Sequence, residues 1–157
     1  MNAFHPEPFR LSEQAIDPAA ELSRFTAEAG DAGAVVSFTG LVRARDAAGA
    51  ALDHLELDWY PGMTERSIRD IGTEALARFG IVAATIVHRC GVVPARAPIV
   101  FVAAASAHRR EAFKAADYMM DRLKTEAVLW KKEVGPDGAR WIEPTNRDRD
   151  DRSRWSE

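Results

Sequence analysis

Residues 98 to 133 leave the chain few ways to fold. Pro98 to Ala105 is a β-branched run that reads as a strand and leads directly into Ser106. Beyond it, Phe113, Ala116, Met120, Leu123 and Ala127 recur at helical spacing. The helix is expected to end near Thr125, and a further strand to begin near Ala127. Ser106 is a good N-cap residue, which puts His108 and Arg109 in the first turn. A cation there opposes the helix dipole by roughly 0.3–1 kcal/mol unless an anion sits beside it, so the turn reads as an anion site. At the other end, Lys124 closes the helix and Lys131 follows seven residues later. If the chain turns between them, both ammonium groups face one cavity, and crowded or desolvated lysines have lowered pKa values suited to proton transfer or nucleophilic work. The alternative reading leaves all four side chains solvated on the surface.

The rest of the chain supplies strands and helices around this segment. Asp17-Pro18 is an N-cap followed by proline at the first helical position, opening a short helix with Leu22 and Phe25 inside. Met1 to Arg10 reads as a loose lead-in. Ala34 to Arg43 reads as a strand, Ala44 to Ala50 as a mobile loop beside it, and Leu52 to Trp59 as a strand with one buried face, because Leu55, Leu57 and Trp59 alternate with Glu56 and Asp58. Thr64 and Glu65 open a helix with Ile68, Ile71, Ala75, Leu76 and Phe79 inside and Gly80 as its C-cap. Ile81 to Arg89 is another strand. Trp130 to Val134 and Arg140 to Glu143 flank Gly-Pro-Asp-Gly-Ala, a hairpin sequence that holds Arg140 near the lysine strand. The order α-β-β-α-β-β-α-β-β predicts an α+β fold with helices on one face of a largely antiparallel sheet.

Composition narrows the function. A chain of 157 residues, 46% hydrophobic, suits one domain over residues 1–143. Residues 144–157 are charged and poor in apolar side chains, and are expected to be a flexible tail or to pack on a partner. A net charge of -3 argues against general nucleic-acid binding. No run approaches the length of a membrane span and no signal peptide opens the chain, so a cytoplasmic location is expected. The one cysteine, Cys90, forms no internal disulfide and reads as a buried structural thiol rather than a sulfur carrier; no metal site and no cofactor are predicted.

Several motifs, in register, resemble one family. Gly33-Ala34-Val35-Val36-Ser37-Phe38-Thr39-Gly40-x-Val42-Arg43, Tyr60-Pro61-Gly62-Met63-Thr64-Glu65, His88-Arg89-x-Gly91, Ser106-Ala107-His108-Arg109, Met120-Asp121-x-Leu123-Lys124-Thr125, Trp130-Lys131-Lys132-Glu133 and Arg140-Trp141 are similar to the signature segments of the large, catalytic subunit of molybdopterin synthase. The resemblance covers Gly33 to Glu143. It implies an α/β-hammerhead fold with a small extra antiparallel β-subdomain. It also implies a homodimer of large subunits that binds a small ubiquitin-like subunit at each end, making a heterotetramer. The implied reaction is sulfur transfer from the thiocarboxylate on that partner's C-terminal Gly-Gly tail to cyclic pyranopterin monophosphate, forming the dithiolene of molybdopterin. Such chemistry brings two anions together and needs a cationic site.

By motif position, Lys124 is the first catalytic candidate and Lys131 the second. Leu41, Val42, Arg43, His108, Arg109, Lys132, Glu133 and Arg140 are carried over as substrate-binding, with Arg140 expected to reach the site of a neighbouring large subunit. The chain departs from the pattern at Leu41, where a lysine is common, at Val128, where a proline is usual, in the Pro94–Ala97 turn, which lacks the usual glycine, and at Asp58-Trp59, where Glu-His is common. A non-catalytic dimeric scaffold with the same anion pocket, or a phosphate-sensing module, is the alternative function.

Overall fold

The computed structural model describes residues 6–156, and its elements follow the order β1 (Phe9–Ser12), α1 (Pro18–Ala27), β2 (Ala34–Leu41), β3 (His54–Trp59), α2 (Met63–Phe79), β4 (Ala83–Arg89), β5 (Gly91–Pro94), β6 (Pro98–Ser106), α3 (Arg109–Glu126), β7 (Leu129–Gly135), β8 (Gly138–Ile142) and α4 (Asn146–Ser153). They form a mixed α+β structure with two four-stranded sheets, β1-β4-β6-β2 and β5-β3-β7-β8. All pairings are antiparallel except β1 with β4. The second sheet is the small antiparallel β-subdomain that the family resemblance implies.

The two sheets share a strand path. Only Cys90 separates β4 from β5, and Gly91 takes a φ of 79°, a left-handed conformation that a side chain would strain, so the chain swings from one sheet into the other there. Strand alternation in the first sheet then sorts the core. Ile86, Val102 and Ala104 point to one side and pack with Ile68, Ile71 and Ala75 of α2, Ala115 and Met119 of α3, and Leu55 and Leu57 of β3. Val87, Phe101, Ala103 and Ala105 point to the other side, under Phe25 and Ala29 at the α1 end. The two long helices therefore share one face, as expected, while the short α1 takes the opposite one.

Where structure and expectation part, the causes are local. Ser106 does not cap α3: it is the last residue of β6, buried, opposite Ala34, and its carbonyl accepts from the Gly33 N–H at 3.0 Å. The cap falls to His108, in an extended conformation, with Arg109 as the first helical residue. The inner face of α3 is Ala112, Ala115, Ala116, Met119 and Leu123, whereas Phe113 is 61% exposed. Small side chains prevail because α3 lies against β6, whose alanines allow close approach.

The lead-in expected over Met1 to Arg10 is ordered at its end, since β1 pairs with β4 and the Phe9 ring fits where α2 has Gly72; a Cβ there would stand 2.2 Å from the ring. The remainder of that lead-in, Met1 to His5, lies outside the described residues. The 91–97 connection contains a strand, β5, paired with β3. The loop after β2 is closed by its own hydrogen bonds: Asp46 Oδ1 accepts from the Ala48 and Ala50 N–H groups at 2.9 and 2.8 Å.

The tail is also corrected. Residues 146–153 form α4, capped by a reciprocal pair in which the Thr145 hydroxyl accepts from the Asp148 N–H and Asp148 accepts from the Thr145 N–H. With no buried residue of its own, α4 is fastened to α3 by Arg152–Glu126 and Arg154–Asp121 ion pairs and by Trp155, whose indole N–H donates to Asp121 at 2.7 Å and whose ring meets Phe79 and Tyr118 edge to face. Polar side chains alone bury too little to hold a helix, and the single tryptophan supplies that anchor. Among the described residues no helix is long and apolar enough to cross a membrane.

Candidate functional site

β2 runs antiparallel to β6, with Ala34 opposite Ser106 and Leu41 opposite Pro98. α3 follows β6 and returns over both strands, so its C-terminal turn comes back to the end where β2 finishes and β6 begins. Lys124 stands in that last turn, where a cation offsets the negative end of the helix dipole. The link to β7 is clamped by α2: the Thr64 hydroxyl donates to the Val128 carbonyl at 2.6 Å, and the Val128 N–H donates to the Ser67 hydroxyl at 3.2 Å. A proline at 128 would lack that N–H, so this chain fixes the turn by two side-chain hydrogen bonds instead of ring rigidity.

The clamp turns half-buried Lys131 inward. On β7 it lies opposite Leu57, which is fully buried, and Lys131 shares its inward face. Burial, with the Lys124 charge beside it, pushes the Lys131 ammonium down to about 8, while Asp148 acts in the opposite sense. Two side chains not singled out from the sequence complete the group. His88, on the same face of β4 as Ile86, is buried, with Nδ1 2.7 Å from the Arg89 carbonyl. Burial, followed by the Lys131 charge, lowers its pKa to about 3, so the ring is neutral. Asp148, on α4, feels both lysine charges; burial would raise its pKa, but the Thr145 hydrogen bonds and the Lys124 and Lys131 charges outweigh it and keep it ionised. A Thr-x-x-Asp capping pattern before the final tryptophan was the available signal for α4; for His88 there was only its motif.

Other candidates fall into three places. Arg43 is exposed just past the end of β2, at the lysine end of the molecule, beside exposed Leu41 and buried Val42; the latter's N–H donates to Ala97 at 3.0 Å and its carbonyl accepts from Arg96 at 2.7 Å. Glu133 lies on the inward face with Lys131, and its carboxylate is 3.3 Å from exposed Arg140 on β8, on the rim of a hollow of about 170 Å³. Lys132 points the other way. It pairs with Glu56 at 2.9 Å and its ammonium lies 5.2 Å from the centre of the Trp141 ring, on the outer face of the second sheet.

His108 and Arg109 are exposed at the opposite end of α3, which at 1.5 Å per residue is roughly 22 Å from Lys124. A single chain therefore does not gather all the cations into one hollow. Cys90 is buried, and burial first, then the charges of Glu13 and Glu65, push its thiol up to about 11, which suits a structural role. Among the described residues no group of three or more His, Cys, Asp or Glu side chains is placed to hold a metal ion.

Comparisons with known proteins bear on the family and the fold. The family described as MoaE protein matches residues 11–126. A curated relative from Caulobacter vibrioides, the molybdopterin synthase catalytic subunit, is 50% identical over 147 residues, covering 94% of this chain and 96% of the relative. Among solved structures, the molybdopterin biosynthesis MoaE protein from Burkholderia ambifaria superimposes with a TM-score of 0.78 at 37% identity, over 94% of this chain and 96% of that one. Molybdopterin synthase from Staphylococcus aureus gives 0.77 at 31% identity, over 88% of this chain and 98% of that one.

Proposed function

Because this chain belongs to the MoaE protein family, the catalytic subunits of molybdopterin synthase, we propose that the site around Lys124 and Lys131 carries out the sulfur transfer that makes molybdopterin from cyclic pyranopterin monophosphate. The chain is a sulfur-transferring enzyme of molybdenum cofactor biosynthesis, working in the cytoplasm. The sulfur donor is the C-terminal thiocarboxylate of a small ubiquitin-like subunit, whose Gly-Gly tail is narrow enough to enter beside Lys124.

One observation carries this reading: half-buried Lys131 feels the charge of exposed Lys124, and its pKa is lowered to about 8. Two adjacent cations lower the cost of bringing a thiocarboxylate up to a phosphate-bearing substrate, and desolvation strengthens each contact. Lys124, at the mouth, orients the incoming carbonyl and sulfur. Lys131, deeper, exchanges a proton at physiological pH. Arg43 and the Leu41–Val42 backbone line the same end, and Arg140, released from Glu133, adds a guanidinium for the phosphate.

His108 and Arg109 join the pocket only from a second copy of the chain, their own helix holding them too far from Lys124. The working unit is then a homodimer with two composite pockets and a small subunit at each, and Lys132 with Glu133 serves where the copies meet. The test is incubation with the precursor and the thiocarboxylated partner. The wild-type chain should form product. Lys124→Ala should still bind the partner yet lose product formation by about 10²-fold or more; a scaffold or phosphate sensor would form none in either case.

A further inference from the structure

β7 has two ways of facing the core, and side-chain patterning does not select the one observed. Leu129, Lys131 and Glu133 lie opposite Trp59, Leu57 and Leu55 and turn inward, while Trp130 and Lys132 turn out, leaving Trp130 51% exposed. A slip of one residue would exchange the two sets. Trp130 would then face Leu57, Lys132 would face Leu55, and Lys131 would replace Lys132 opposite Glu56 on the outer side. The inner set would gain a tryptophan and Glu56 would keep a lysine partner, so burial of apolar surface favours the slipped strand. β8 is the last strand of the sheet and would be carried along with β7.

Two pins oppose the slip, one at each end of the strand. At the hairpin end, Gly135 passes the Ala51 carbonyl so closely that a Cβ would stand 2.4 Å from the oxygen, and Val134 could not take its place. At the other end, α2 grips both backbone groups of Val128. The Thr64 hydroxyl donates to the Val128 carbonyl at 2.6 Å and accepts from the Tyr60 N–H at 2.9 Å. The Ser67 hydroxyl accepts from the Val128 N–H at 3.2 Å and donates to the Thr64 carbonyl at 2.8 Å. Each hydroxyl has one proton, and both protons are committed. Thr64 is fully buried, and the Leu129 N–H tightens the same turn by donating to the Ala127 carbonyl at 2.8 Å. A slipped strand would carry Val128 to the place opposite Trp59 and break both contacts of the grip.

We infer that Thr64, with Ser67 beside it, is a positioning residue for the reaction: by holding Val128 it sets the register of β7 and decides which of two consecutive lysines turns inward to the site. This rests on the reading of Lys124 and Lys131 as the reacting pair. Val128 stands between them in the chain, so one grip fixes the link that joins them. The Gly135 pin lies beyond Lys131, at the hairpin, and leaves the end nearest the site to Thr64 and Ser67.

Competitive labelling of the folded chain with acetic anhydride across pH, read at each lysine by mass spectrometry, reports both side chains without needing turnover. The charges acting on Lys131 are those of Lys124 and Asp148, and Glu56 holds Lys132. Substitutions at Thr64 and Ser67 alter none of these, so a moved titration reports a moved lysine. The wild type should show Lys131 near 8 and Lys132 above the ordinary lysine value. Thr64→Val keeps the shape without the hydroxyl, and the two titrations should converge, Lys131 rising by about one unit while Lys132 falls. Thr64→Ser keeps the hydroxyl and should stay close to wild type. Ser67→Ala removes one contact of the same grip and should move both lysines the same way by less; it carries the test if Thr64→Val does not fold. In the full reaction, Thr64→Val should lower kcat about tenfold with KM within roughly twofold, and Thr64→Ser should restore most of the loss. Mere loosening of the strand would raise Lys131 and leave Lys132 in place. That outcome, unmoved titrations in a folded variant, or a Thr64→Ser chain that behaves as Thr64→Val, would overturn the register lock. If Lys124→Ala proved fully active, the reading of the site would fail, while the labelling would still decide the role of Thr64.

Discussion

The two ends of α3 carry the same kind of residue in opposite surroundings. At its start, His108 and Arg109 stand exposed beside the positive end of the helix dipole, an arrangement that invites an anion from outside. At its end, the charge of exposed Lys124 acts on half-buried Lys131, on neutral His88 and on ionised Asp148. A helix terminus recruits charge by its backbone alone. A perturbed side chain needs neighbours from other elements, here β4, β7 and α4. In the function proposed above, the first end binds and the second reacts.

Breaking that contrast gives the largest effect at the reacting end. Lys124→Ala should reduce kcat by about 10²–10³-fold with partner binding retained, because it removes a contact strongest in the transition state. At the binding end, Arg109→Ala should act mainly on KM, by about tenfold, the scale of one charge-assisted contact to phosphate. If each pocket draws its ends from different copies, the two defects complement: in a dimer mixing one Lys124→Ala chain with one Arg109→Ala chain, one pocket is intact and the other doubly damaged. Mixing equal amounts and re-associating should restore about a quarter of wild-type sites. Activity no higher than that of the Arg109→Ala dimer would place both ends in separate functions.

A smaller effect separates chemistry from stability. Lys131 titrates near 8 in the fold against an ordinary 10.5, so between those values the unfolded chain binds more protons and stability rises with pH. Below pH 8 the ammonium is a standing cost to the fold. Lys131→Met should therefore raise stability at pH 7 by on the order of 1–3 kcal/mol in urea unfolding, with the gain vanishing above about pH 10.5. Turnover should fall at the same time. His88 works on the acid side: lowered from 6.5 to about 3, it binds protons in the unfolded chain first, so part of the stability present above pH 6.5 is lost as pH falls toward 3.

Much of this was readable from the residues. Alternation at Leu55, Leu57 and Trp59, the αL cap at Gly80 and the Asp17-Pro18 helix start are short-range signals, and each holds in the fold. What escaped depends on partners far along the chain. β1 and β5 have four residues each, too few to show a period. Helical spacing through Phe113 misses the inner face of α3, because the sheet beneath accepts alanine and Phe113 is exposed. Ser106 looked like a cap, but its hydrogen bonds belong to the sheet. At the site, no local pattern in the sequence says that His88 and Asp148 converge on Lys131, because the convergence is made by a bend at Gly91 and by a polar helix held through one tryptophan.

Lys131 and Lys132 give the finest form of the same comparison, being consecutive in sequence and opposite in direction. Lys132 is raised in pKa by its hydrogen bond and charge pairing with Glu56, outside the core, and its ammonium lies against Trp141. An exposed pair of this kind is held loosely and screened by salt. Lys132→Ala should leave the thermal unfolding midpoint unchanged within error and the Lys131 titration at about 8. Its effect on turnover then has one source. A drop of more than a few-fold, with both other readouts fixed, would mean that the outer face of the second sheet borders the pocket of another copy, since within one chain that side chain points away from every reacting group.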